Sequence, residues 1–467
     1  MRRKLSHKIQ YPVLAFVVLF VLSCGNTTSI PAETPKSQNT ATNVPTATLK
    51  PQNTATALAI ESTPKDTHCL PRYSGLNEFL HLNPPADLWW VDSADFNDDG
   101  FPDILLSRGV FQSGEAFEID ILLNDGKGAF QVGTSDVFSG EIPKVVEPRE
   151  VVLADFNGDD RIDIFFADQG MDADPWPGHQ NTLVLSAPGG KMVNATANLP
   201  QQSDQTHSAT AADIDGDDDI DLFVGNLGGG GVPPQIWKNN GTGKFTIAEG
   251  LLSSEQTNLS LNWYTTSLFA DINNDTYPDL VLGQGNPNRD SHVLLNDGTG
   301  HFTQVETPLP PSFFAPEQQP VDIKAGDITS DGFLDLFLVD TRNTYFGWYI
   351  QVLINNGDGT FRDETSSRLS QSGAEEPWMW QVNLIDLKMD GNLDIGASPT
   401  QGRGPLFYIN DGEGIFTKQP NVFNIEHPYL WTFLDIDQDG FLDVFWSYPR
   451  NGSIPEIHFT VMALGCP

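Results

Sequence analysis

The chain is poor in positive charge: 25 Lys and Arg stand against 62 Asp and Glu in 467 residues, a formal net charge of −37. Charged residues make up only 19% of the sequence, so the imbalance reflects scarce base as much as plentiful acid. Phosphate binding needs a basic face that releases counterions, which argues against nucleic acid as a partner. Docking of the folded part on anionic lipid is disfavoured for the same reason. Long apolar runs are also missing. The one unbroken run, Val13 to Leu22, would span about 15 Å as a helix, half of a hydrocarbon core. No segment has the period of a long amphipathic helix. There is no Gly-x-Ser-x-Gly elbow, no His-x-x-His zinc spacing and no phosphate loop ahead of a helix. What remains is 39% hydrophobic and 10% aromatic residues, enough for a core, with 42 Gly and 33 Pro that imply many turns and β-structure.

Arg2, Arg3, Lys4 and Lys8 precede the short apolar run, the layout of a secretory signal. The run ends Val21-Leu22-Ser23-Cys24-Gly25, which resembles a bacterial lipobox with Cys24 as the lipidated residue. An ordinary cleaved signal with a chance Cys is the alternative. Residues 1–23 are therefore expected to be a lipoprotein signal peptide, and their removal leaves a mature net charge of about −41. Residues 24–68 are rich in Thr and Pro, with Gln38-Asn39-Thr40-Ala41-Thr42 repeated as Gln52-Asn53-Thr54-Ala55-Thr56. Nothing in them can form a core, so a disordered tether is expected, with an r.m.s. reach of about 35–40 Å. The protein is expected to be exported, lipid-anchored at the bacterial cell envelope or surface, and monomeric, touching membrane only through its anchor.

The remaining residues, 69–467, are organised by their acids. The pattern Asp-x-Asn/Asp-x-Asp-x-x-x-Asp occurs at Asp95-Asn97-Asp99-Asp103, Asp155-Asn157-Asp159-Asp163, Asp213-Asp215-Asp217-Asp221 and Asp271-Asn273-Asp275-Asp279. It recurs, with changes at the third position, at Asp327-Thr329-Asp331-Asp335 and Asp386-Lys388-Asp390-Asp394, and again at Asp435-Asp437-Asp439-Asp443. The spacings are 60, 58, 58, 56, 59 and 49 residues. A short apolar run enters each copy and another leaves it, as in Val151–Ala154 and Ile164–Phe166; these read as buried strands. Hairpin signals follow at Asn124-Asp125-Gly126, Asn240-Gly241, Asn296-Asp297-Gly298, Asn356-Gly357 and Asn410-Asp411-Gly412, where glycine supplies the positive φ of a tight turn. The second repeat lacks this signal, having Ser186-Ala187-Pro188-Gly189-Gly190 instead.

Four-stranded units of this length, repeated radially, make a β-propeller. The fold expected is all-β: a seven-bladed β-propeller of four-stranded blades over residues 69–467. The seventh unit has strands through Ile457–Val461 but no hairpin and no fourth strand; Ser74–Leu80 at the front of the chain is expected to supply it. Cys69 and Cys466 would then meet, and a disulfide fastening the ring is expected in an exported chain, with two free thiols as the alternative.

Carboxylates at positions one, three, five and nine of a tight loop converge on one point, and hard oxygen ligands in that number suit Ca²⁺. No helices flank the loops, so these are not EF-hands. Six copies keep an oxygen at position three. Lys388 breaks the sixth, where its ammonium would repel calcium and neutralise Asp386, Asp390 and Asp394. Up to six calcium ions and a lysine-filled sixth loop are expected. The motifs hold 23 carboxylates, over a third of all 62, so much of the acidity belongs to these sites rather than to a solubilising coat.

These repeats resemble the FG-GAP/VCBS family, the repeat of the integrin α-subunit propeller and of many bacterial secreted proteins. The resemblance covers residues 69–467 and implies a seven-bladed, calcium-bearing propeller whose loops join the first and second strands of each blade. It implies little about the ligand, because the family includes adhesion receptors, lectin-like proteins and some carbohydrate-active enzymes.

If the innermost strand runs into each acidic loop, the opposite face carries residues six before each motif Asp: Trp89, Arg149, His207, Thr265, Val321, Trp380 and Tyr429. Aromatic rings stack on sugars, and Arg or His bonds hydroxyls or carboxylates, so Trp89, Arg149, His207, Trp380 and Tyr429 are candidates for a ligand funnel. Packing between blades is the competing role for the same aromatics. The segment Asp168–His179 is a candidate surface loop, or a plain connection. The expectation is a surface-anchored module binding a protein or glycan ligand. The alternative is a carbohydrate-active enzyme of the polysaccharide lyase or sugar dehydratase type, with His207, Arg149 and Tyr429 near the reaction. A purely structural envelope component is a third reading.

Overall fold

A computed structural model describes residues 78–81, 87–127, 129–227, 231–371, 373–399, 405–420, 430–438, 440, 442–447 and 456–460. The signal and tether segments, Cys24, Cys69, Cys466, Tyr429 and Asp439 lie outside the described residues. What is described is a β-propeller of four-stranded antiparallel blades. Helix among the described residues is limited to single turns at Thr134–Val137, Thr196–Asn198 and Thr365–Arg368.

The first blade sets the pattern with strands Asp87–Ala94, Asp103–Gly109, Asp120–Asn124 and Phe130–Val132, hydrogen-bonded in that order. The next five blades begin with inner strands Pro148–Ala154, Thr206–Ala212, Tyr264–Ala270, Gln318–Gly326 and Met379–Ile385. Seven blades were expected; six are found, each built from a single stretch of chain. A further four-stranded sheet is composite: Trp431–Leu434, Asp443–Ser447 and Glu456–Thr460 are completed by Glu78–His81 from the front of the chain. Glu78 pairs with Phe459 and His81 with Glu456, so the chain's front does supply an outer strand, slightly later than Ser74–Leu80.

Second strands such as Asp103–Gly109 and Asp221–Asn226 are buried along their whole length, because both of their faces pack on neighbouring blades. Hence they read as unbroken apolar runs rather than as alternation. Outer strands such as Phe130–Val132 bury one residue and expose the rest. The apolar core is divided among the junctions between successive sheets. Phe165, Leu183, Leu222 and Trp237, for example, fill the seam between the second and third blades. Leu88, Leu122, Leu434 and Phe445 join the composite sheet to the first blade, and Phe407, Trp431 and Trp446 join it to the sixth. Each large buried side chain contributes about 1.5–3 kcal/mol on removal from water, so the seams hold the ring together.

Hydrogen bonds reinforce those seams in a way the hairpin pattern did not disclose. The Asn that closes the third strand is buried, and its side-chain amide crosses to the preceding sheet. Asn124 donates to the Ile436 carbonyl at 2.7 Å, Asn239 to Phe156 at 2.7 Å, Asn296 to Ile214 at 2.8 Å and Asn355 to Ile272 at 2.8 Å. The hairpin glycines take the expected positive φ. At Gly298 (φ 81°) an added Cβ would also lie 2.5 Å from the Tyr277 ring.

Candidate functional site

The seven acidic loops share one backbone form and join inner to second strands. Motif positions four and six have positive φ in every loop: Asp98 and Gly100, Gly158 and Asp160, Gly216 and Asp218, Asn274 and Thr276, Ser330 and Gly332, Met389 and Gly391, Gln438 and Gly440. Gly, Asn and Asp tolerate this region best, which explains their abundance between the acids. The two left-handed residues turn backbone N–H groups onto the first Asp. Asp99 and Gly100 donate to the two oxygens of Asp95 at 3.1 and 2.7 Å. The same pair of bonds recurs at Asp155, Asp213, Asp271, Asp327 and Asp386, and Gly440 donates to Asp435.

The ninth-position Asp, expected only as a metal ligand, is also framework. It is fully buried and starts the second strand in every loop. Asp335 accepts the Asn355 N–H on Oδ1 at 2.9 Å and the Ile328 N–H on Oδ2 at 3.2 Å, tying the loop to the hairpin and to its own start. Asp103, Asp279 and Asp394 do the same. Burial pushes Asp103, Asp221, Asp279 and Asp394 up to about 7, and Asp163 and Asp335 to about 6, against these N–H bonds. A carboxylate so placed gains most from a nearby cation.

Acidic oxygens converge closely, within 4.8 Å of one another, at Asp213-Asp215-Asp217 and at Asp435-Asp437-Asp443, and such groups can hold a metal ion. A profile of the FG-GAP-like repeat matches residues 95–166, 155–224, 271–338 and 327–397, together more than half of the chain. The chain belongs to the FG-GAP-like repeat family. No curated protein matches the sequence. Among solved structures, the chain is similar to BBS1N in its crystal structure with ARL6DN, soaked with lead. The TM-score is 0.44 at 10% identity, covering 84% of this chain and 98% of that one. It is also similar to a protein from Lactobacillus plantarum, with a TM-score of 0.48 at 11% identity, covering 72% of this chain and 84% of that one.

The FG-GAP loops differ in what surrounds their acids. In the first, fourth and fifth, the donor set is carboxylate with an amide or hydroxyl oxygen, and no Lys or Arg among the described residues reaches it. Thr329 Oγ1, at position three of the fifth, is a buried oxygen without a hydrogen-bond partner. These hard oxygens fit Ca²⁺. In the sixth, Lys388 Nζ lies 2.5 Å from Asp390 and 3.2 Å from the Asn410 carbonyl, the ammonium expected there. Two further cations escaped the sequence reading. Arg161 binds Asp159 in the second loop and the Ala187 carbonyl. Lys238, from the third strand of the third blade, binds Asp215 and Asp221 at 2.6 Å each and lies 3.9 Å from Asp217. A signal for Lys238 was available: the matching residues of the sister hairpins are Leu123, Leu295, Ile354 and Ile409.

On the opposite face, about 20 Å along each inner strand, the candidate funnel residues share a property that spacing alone could not reveal. The inner strands of the six blades slip register there, so that Trp89, Arg149, His207, Thr265 and Val321 are skipped in pairing, as is Trp380 together with Gln381, and bulge from their strands. Bulges re-aim side chains. Three of these residues meet: the Arg149 guanidinium lies 5.2 Å from the Trp89 ring centroid and 5.7 Å from that of Trp380. Asp172, from the loop Asp168–His179, pairs with Arg149 at 3.0 Å. Trp89 is buried, the packing role that competed with ligand stacking, whereas Trp380 is half-buried. The aromatic contacts continue outward from Trp89 to Phe111 (6.1 Å), and from Trp380 to Trp378 (5.1 Å) and on to Tyr345 (5.3 Å). Phe111, Tyr345 and Phe346 are exposed, as are Trp176, Trp263 and Phe313. His207 stands apart from the stack, with Nδ1 2.9 Å from the Thr265 carbonyl. Burial, with Arg149 nearby, pushes its imidazole down to about 3.

Proposed function

We propose that this FG-GAP propeller is a calcium-bearing binding module that takes a protein or glycan ligand on the face opposite its acidic loops. The observation that carries the reading is the track Phe111–Trp89–Arg149–Trp380–Trp378–Tyr345, which joins exposed aromatic groups of the first and fifth blades through one cation. Exposed aromatic surface gathered on one face marks an interaction site. Arg149 Nε is a buried donor without a hydrogen-bond partner, and it remains for an acceptor on a ligand. The state of His207 favours binding over the alternative, a polysaccharide lyase or sugar dehydratase. An imidazole held near 3 is far below the range of a general base at neutral pH.

The remaining parts of the proposal extend the chain's two ends. Cys24 would carry a lipid anchor at the bacterial cell envelope, with residues 24–68 as tether. The composite sheet would act as a seventh blade, fastened by Cys69–Cys466. A titration that finds two reactive thiols in the unreduced protein would count against that disulfide. Calcium in the loops would stiffen the module, with Asp95, Asn97, Asp99 and Asp103 and their counterparts as ligands. A glycan and matrix-protein array, read with and without calcium, tests the function. Trp380→Ala and Arg149→Ala should each abolish a hit while far-ultraviolet circular dichroism stays unchanged. Unchanged binding by both variants removes the aromatic face from the proposal.

A further inference from the structure

The third acidic loop is the one with a carboxylate at all four positions within the described residues: Asp213, Asp215, Asp217 and Asp221. By charge alone it should bind a metal ion at least as well as the first, fourth and fifth loops, which have three carboxylates each. It is also one of the two loops whose oxygens converge closely. The geometry gives a different cause for that convergence. Lys238 Nζ sits between Asp215 and Asp221 at 2.6 Å from each, with Asp217 at 3.9 Å, where a bound cation would be expected.

The placement comes from the backbone. Lys238 pairs with Thr246 in the outer strand as Leu295 pairs with Thr303 in the fourth blade, so the two occupy equivalent positions of equivalent hairpins. Where the sister hairpins put Leu123, Leu295, Ile354 or Ile409, only the third puts a four-carbon stem ending in a charge. The stem takes the aliphatic residue's place and the head reaches the loop. Unlike a dissolved ion, this cation is tethered at a fixed and high effective concentration.

We propose that Lys238 is the resident cation of the third loop. It keeps the loop assembled without metal and makes the loop take up calcium far more weakly than the first, fourth and fifth. This rests on the reading that those loops bind calcium. A divalent ion entering the third loop must displace an ammonium already paired to two of its four carboxylates. In the other three loops no ammonium stands in its way, only neutral side chains at position three: Asn97, Asn273 and Thr329.

Native mass spectrometry at a series of free calcium concentrations tests this, with Lys238→Leu restoring the sister residue and Leu295→Lys imposing the lysine on the fourth loop. Lys238→Leu should gain one calcium per chain at concentrations where the wild type has saturated its other loops, and Leu295→Lys should lose one. In chelator, where no metal contributes, Lys238→Leu should melt below the wild type because its four carboxylates lose their counter-ion. Counts that neither substitution moves, in a protein that does bind calcium, overturn the role of Lys238. No uptake by the wild type or either variant overturns the calcium reading itself. In that case, an unchanged melting temperature in chelator would separately refute the counter-ion.

Discussion

Asn124 is the most informative single residue to remove, because it joins the first blade to the sheet that unites the two ends of the chain. Its side-chain amide donates to the Ile436 carbonyl at 2.7 Å and to the Pro102 carbonyl at 3.1 Å, and its Oδ1 accepts the Gly126 N–H at 2.9 Å. The residue is 3% exposed, so water does not replace what is lost. Asn124→Ala removes three hydrogen bonds, each worth about 1 kcal/mol net, and strands two carbonyls at a further cost of about 1 kcal/mol or more. The sum is about 3–5 kcal/mol, a fall in melting temperature on the order of 4–6 °C for a propeller of this size. Its backbone bond to Asp103 remains, so the acidic loop itself is not dismantled. Asn355→Ala, which cuts the equivalent bonds to Ile272 and Leu334, should cost a similar amount. Asn124→Asp keeps the shape but turns a carboxylate toward two carbonyls, and should be worse at neutral pH than at pH 4. Calorimetry measures all three. A change below about 1 kcal/mol for Asn124→Ala would show that the amide does not hold the seam.

Three other outcomes are expected. Chelation should lower the melting temperature and calcium should restore it, because a site at a hundredfold excess over its Kd adds about 2.7 kcal/mol; identical melts with and without chelator would refute calcium binding. Asp331→Asn should weaken calcium stabilisation while leaving the chelated protein's melt nearly unchanged, whereas Asp335→Asn should lower both. The reason is that both Asp335 oxygens accept backbone N–H groups, and an amide nitrogen there would face a donor. Glu150 lies among Lys324, Asp322 and Asp92; burial pushes it up to about 8, with Lys324 opposing and the two acids adding. Because its folded value is raised above its unfolded one, the stability present below about pH 4.5 is lost as pH rises toward 8. Glu150→Gln should therefore match the wild type at pH 5 and melt progressively higher than it above pH 7; parallel pH profiles would refute the assignment.

The sequence by itself determined whatever repeats locally. Asp and Asn at fixed spacing, apolar runs on either side and Asn-Gly or Asp-Gly turns specify strand, loop and hairpin within a few residues, so blades, loops and family were all legible. Even the front strand of the composite sheet was legible, from the unit that lacked one. The tertiary structure alone decided what depends on atoms from different blades. The register of the composite sheet, Glu78 against Phe459 and His81 against Glu456, exists only once the two ends of the chain lie side by side. The bulges at Trp89, Arg149 and Trp380 arise from pairing register, which a one-dimensional spacing does not contain. Arg149 finds Trp380 from more than two hundred positions away, and Asn124 finds Ile436 from more than three hundred. The third loop shows the difference most sharply. Its four carboxylates read as a metal site, and Lys238 changes that meaning, because a side chain's charge acts through space and the fold decides which charges become neighbours.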